Sequence, residues 1–172
     1  MVLRNRAARA DIGGPLPGRY DVTALRWFLA WGHLLGLGIG LGAVWARSLA
    51  LRGRLDADGI RRVLTADTWW GVAALLWIAT GVWRLFGATE KATDYYLSNH
   101  IFWAKMVLLL GVLIMEVRPI VTFAGWRKAL ARGATPDTST APRLARVSRA
   151  QAITVVLMVL AAAAMARGIG GR

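Results

Sequence analysis

Residues 27–46 read WFLAWGHLLGLGIGLGAVWA, twenty in succession without a charge, and Arg47 closes the run. As a helix that stretch rises about 30 Å, the thickness of a bilayer's hydrocarbon core. A soluble helix must show one polar face to water, and here no face is polar. The run therefore predicts a membrane span. A cleaved signal peptide is the rival reading, with Ala43-Val44-Trp45-Ala46 resembling a cleavage site. Signal peptides have shorter apolar regions, however, and this one carries a histidine and five glycines.

Working outward, the same signature recurs. Asp67 and Arg84 enclose sixteen uncharged residues, with Trp69-Trp70 near one end and Trp83 at the other. Indole is amphipathic and favours both membrane interfaces, so this is a second span, extended by Leu85 and Phe86. A third runs over 99–121 and holds Lys105, Glu116 and Arg118, with Pro119 expected to kink or end it. A fourth covers 150–166, rich in alanine and suited to close helix packing. The expectation is an all-α integral membrane four-helix bundle over 23–167, with spans at about 23–46, 67–86, 99–121 and 150–166. A dimer of such bundles is one arrangement it allows. Residues 1–22 read as a flexible basic lead-in, and 127–149 as a basic polar loop whose stretch 133–140 is disordered.

Composition agrees. Of the 172 residues, 56% are hydrophobic and 18% charged, and cysteine is absent, which excludes disulfides, thiolate catalysis and thiolate-held clusters. The 22 basic residues against 9 acidic give a net charge of +13. They flank the apolar runs instead of forming one stripe, and no nucleic-acid motif accompanies them, so anionic lipid head groups are the partner expected. Arg143, Arg146 and Arg149 stand three apart and line one side of an amphipathic turn against the membrane surface. Segments 47–67 and 117–149 share a side and carry twelve basic residues against nine on the other, which places them in the cytoplasm and both termini outside.

Polar groups inside a bilayer are functional suspects, because burying them in hydrocarbon is costly. His33 sits about 9 Å below the interface, with Gly40 on its face and Gly36 close to it. That strip leaves room for a flat, bulky group beside the imidazole. Gly32, Gly36 and Gly40 also form a small-residue seam for a neighbouring helix, and a lone histidine can simply bridge to a backbone carbonyl or a threonine. Lys105 enters from the same side to similar depth, and Arg84 marks the same interface. Two cations near one histidine suit an anionic ligand, such as a porphyrin with its propionates; snorkelling to the head groups is the plainer alternative. Trp31 and Trp77, the deeper tryptophans, are candidates for lining a cavity. No catalytic triad, phosphate loop or zinc set is present, and no enzymatic activity is assigned.

Three stretches carry a resemblance: Trp31-Gly32-His33-Leu34-Leu35, Ala79-Thr80-Gly81-Val82-Trp83-Arg84, and Tyr95-Tyr96-Leu97-Ser98-Asn99-His100-Ile101-Phe102-Trp103-Ala104-Lys105. Together they resemble a bacterial family of predicted four-helix membrane proteins with no assigned activity. That family is distantly similar to HemJ-type protoporphyrinogen oxidases and to CopD-like copper-resistance domains. The resemblance implies a bacterial inner-membrane location and a redox role with haem b or a porphyrin. It implies His33 as haem-iron ligand and Trp103-Ala104-Lys105 in the place of a Trp-x-Lys motif. The chain departs from the HemJ pattern where a further histidine would follow the lysine, at Met115-Glu116. A cofactor-free scaffold or small transporter subunit is the alternative.

Overall fold

The computed structural model describes residues 19–87 and 93–170, with side chains from Thr23 onward. The described residues form five helices and no strand: α1 (Arg19–Ala50), α2 (Ala57–Phe86), α3 (Thr93–Leu97), α4 (His100–Ala131) and α5 (Ala141–Ala166). The four long ones each contain a stretch apolar enough to cross a membrane. The chain is an all-α protein with four candidate membrane spans. Of the lead-in at 1–22, residues 1–18 lie outside the described ones, and α1 already begins at Arg19.

Each long helix outruns its apolar core. α1 does not stop at Arg47 but continues to Ala50. α2 starts ten residues before Asp67, because the Asp56 carboxylate accepts the Gly59 N–H at 2.9 Å and caps a first turn there. Asn99 caps α4 by accepting from the Ile101 and Phe102 amides at 2.9 and 3.3 Å. Pro119 neither ends α4 nor begins its termination; it is buried within the helix. The proline removes one backbone donor, but the turns beyond it seat Phe123 and Trp126 in a core, and that burial carries the helix on to Ala131. The expected loop at 127–149 is consequently mostly helical. Only 132–140 is irregular, and it is held in place: Trp126 Nε1 donates to the Asp137 carbonyl at 2.9 Å, and the Asp137 carboxylate accepts from the Ser139 amide and hydroxyl. The connection after α2 also holds a short helix, α3.

α1 packs along α2 and α5, and α5 packs along α4. Two cores result. One, within the spans, joins Val44, Trp70, Val112, Val155 and Met158. The other joins Leu51, Ile60, Val63, Phe123, Trp126 and Leu144 at the basic end. At about 48 Å, α1 and α4 are longer than a bilayer core is thick, so this second core caps the bundle at the membrane face. Outside both cores the helices turn Leu34, Leu75, Val107, Val121 and Leu160 outward, each more than half exposed. Water would make such a surface an aggregation site; lipid accommodates it.

Candidate functional site

Two polar centres lie inside the spans, and they differ in how completely their hydrogen-bonding capacity is used. The first is built on Arg47, a fully buried side chain. A guanidinium has five N–H donors, and here each has an acceptor. Nε donates to Ser148 at 3.0 Å; Nη1 donates to Asp67 and Glu116, both at 2.8 Å; Nη2 donates to the other Glu116 oxygen at 2.9 Å and to Gln151 at 2.7 Å. The rings of Trp70 and Phe123 lie 5.9 and 5.6 Å from its central carbon, within cation–π range. Asp67 turns its second oxygen to Arg127 at 2.8 Å, and Gln151 donates onward to Glu116. Two arginines thus face two carboxylates, and all four spans contribute. With every donor committed, the Arg47 guanidinium has none left for a ligand.

Glu116 pairs with Arg47, a residue of α1 in the core. From the sequence Arg47 and Asp67 read only as span boundaries, and Ser148 and Gln151 are not singled out. A signal existed. Arg47 stands seven residues after Gly40 and fourteen after His33, so it continues the inward face of α1. Ser148, Gln151, Ala152 and Val155 likewise trace one face of α5.

The second centre lies about 21 Å along α1 from the first. His33 Nδ1 is 3.1 Å from the Trp77 carbonyl and 3.0 Å from Thr80 Oγ1. A carbonyl only accepts, and the Thr80 hydroxyl already donates to Leu76 O at 2.7 Å. In the neutral ring the proton therefore sits on Nδ1, and the Nε2 lone pair is uncommitted among the described residues. The ring stacks on Trp77 with centroids 5.5 Å apart, and it fits because residue 81 is glycine: a Cβ there would stand 3.2 Å from His33 Cε1. The Trp77 indole nitrogen is buried without an acceptor among the described residues. Lys105 of α4 and Arg84 of α2 both lie close enough to act electrostatically on His33. Lys105 is half-buried, and no described residue pairs with its ammonium.

The glycine strip offers no room beside His33. A Cβ at Gly36 would meet Ala73 O and Trp77 N at 3.2 Å, and one at Gly40 would meet Ala73 Cβ at 3.4 Å. α2 fills the strip, and the void left there, about 10 Å³, is bounded by Gly36, Gly40, Trp70, Ala73, Trp77 and Val155. A drug-sized ligand occupies some hundreds of Å³, so no macrocycle fits against these glycines. Trp77 lines that void, whereas Trp31, 52% exposed, faces outward. His100 opens α4 on the surface, its amide donating to Gly170 O at 3.3 Å. Among the described residues no group of three histidines, aspartates or glutamates is gathered as a metal site.

No curated protein and no solved structure matches the chain. A family model described as "Predicted membrane protein (DUF2214)" matches residues 25–170, a span holding all four long helices from within α1 onward. The chain belongs to that family of membrane proteins.

Proposed function

We propose that this protein binds an anionic amphiphile within the membrane at His33, Lys105 and Arg84, as a carrier or a small transporter subunit. The observation that carries the reading is the contrast between the two polar centres. Arg47 is saturated by its own chain and acts as a structural tie. His33 Nε2 and the Lys105 ammonium retain their capacity at a depth where unmet polar groups are costly. Cations at this level favour a carboxylate or phosphate over a neutral ligand. The test is a fluorescence titration of the purified protein in neutral detergent, using Trp77 and its neighbours as reporters. Oleate should bind saturably and oleyl alcohol should not, with oleate affinity falling about tenfold in Lys105→Gln for the loss of one charged partner. Equal responses to the two probes, or an unchanged Lys105→Gln, would refute it.

A second reading, haem b or a porphyrin in a HemJ- or CopD-like redox role, is favoured by one feature. Nδ1 anchored to a carbonyl with Nε2 uncommitted is how a metal-ligating histidine is oriented. His33 would hold the iron, with Lys105 and Arg84 on the propionates. The group would have to sit on the side of His33 away from Gly36 and Gly40. The haem would supply one-electron chemistry. Oxidised and dithionite-reduced absorption spectra of protein made with ample haem, beside His33→Ala, decide it: a Soret band lost in the variant supports the reading, and a featureless visible spectrum removes it. In either case we place the protein in a bacterial inner membrane, with both termini outward.

A further inference from the structure

At the opposite end of the bundle, α4 and α5 leave a groove of about 510 Å³ bounded by Met115, Arg143, Arg146, Val147 and Ala150. Its chemistry changes along its length. Arg143 and Arg146 sit one turn apart in the polar start of α5, outside its uncharged run. Ala150 begins that run. Met115 stands level with it, because the adjoining Gln151 bonds to Glu116 and to the Val112 carbonyl. The groove is therefore basic toward water and apolar toward the membrane interior. The ion pairs of the described residues run elsewhere, and neither Arg143 nor Arg146 has a hydrogen-bond or carboxylate partner among them.

A phospholipid has the same polarity in the same order: an anionic head group at the interface, then an acyl chain. We propose that this groove is a binding site for an anionic phospholipid, its phosphate between Arg143 and Arg146 and one chain along Met115, Val147 and Ala150. The charge complementarity selects the occupant. A zwitterionic lipid would bring its own cation beside the two arginines, an apolar partner helix would offer them no anion, and a soluble anion would leave the apolar half empty. The site lies directly outside the Arg47 network, since Met115 and Ala150 adjoin Glu116 and Gln151 in sequence. The inference is independent of whatever binds near His33.

Native mass spectrometry of the detergent-purified protein tests it, with phosphatidylglycerol and phosphatidylcholine as probes. Wild type should retain phosphatidylglycerol in preference to phosphatidylcholine. Arg143→Gln/Arg146→Gln should lose about 30-fold in affinity for it, two interfacial cations being removed. Arg54→Gln/Arg61→Gln removes the same charge from the same end, at side chains 87% and 77% exposed that pair with Asp56 and Asp58, and should bind as wild type does. Equal loss in both double variants would reduce the effect to general charge and overturn the site. So would the absence of any preference in wild type, or displacement of the lipid by millimolar inorganic phosphate.

Discussion

At the scale of single residues, Arg47 illustrates how a charge is kept inside a membrane bundle. Burying an ion costs several kcal/mol, and only a full complement of partners offsets it. Arg47 has that complement from Asp67, Glu116, Ser148 and Gln151. Arg47→Met should therefore destabilise the fold by about 3–5 kcal/mol, because Glu116 is left as an uncompensated buried charge. Adding Glu116→Gln should recover part of that loss, since Asp67 still holds Arg127. Denaturant titration of the two variants and of Glu116→Gln alone closes the cycle; strict additivity would show that Arg47 and Glu116 are not coupled. The aromatic rings against the guanidinium fit this picture, supplying attraction from a direction where no oxygen approaches.

At the scale of elements, α1 shows that five glycines in one helix are not equivalent. Gly36 admits the α2 backbone to within 3.2 Å of an added Cβ, whereas Gly38 has nothing within 4 Å. The same substitution should then have opposite signs. Gly36→Ala forces the helices apart and should cost about 1–3 kcal/mol as an overpacked contact. Gly38→Ala should stabilise by about 0.5–1 kcal/mol, because alanine is the better helix former. Thermal melts of the two variants in one detergent compare them directly. The α2 cap offers a test by pH. The Gly59 amide holds the Asp56 carboxyl below its ordinary 3.8. A depressed carboxyl contributes stability above its unfolded value and loses it as pH falls through the lower, folded one. The stability gap between wild type and Asp56→Ala should accordingly be full at neutral pH and close below pH 3.8.

At the scale of the whole molecule, the fold divides into a lipid-embedded core and a cap at the basic end, with the Arg47 network between them. Arg47 is neutralised internally and so drops out of the positive-inside count, leaving eleven basic residues on the cap side against nine opposite. The cap side still carries the excess, and we expect it in the cytoplasm. Reporter fusions check this: a phosphatase joined after Gly170 should be active and a fluorescent protein there dark, and the reverse pattern would invert the topology. The far end is tied as well. Tyr95 donates to Met165 O at 3.1 Å and Asn99 to Ile169 O at 3.3 Å, so the end of α5 is held against the junction of α3 and α4.

The sequence alone determined the number of spans, their class and the end at which His33, Lys105 and Arg84 lie. Hydropathy and helical rise are local properties that add along a chain, so twenty uncharged residues announce a span whatever surrounds them. The histidine's two open alternatives, a packing bridge and an available nitrogen, were both legible, and the two ring nitrogens divide them: Nδ1 bridges to α2 while Nε2 stays uncommitted. Only the tertiary structure decided that the glycine strip belongs to α2, that Pro119 is passed over, and that Arg47 lies inside the bundle. Those outcomes depend on which helices are neighbours. Arg47 and Gln151 are 104 positions apart in the chain, and no local pattern shows that a charge at the end of an apolar run will meet two carboxylates from other helices.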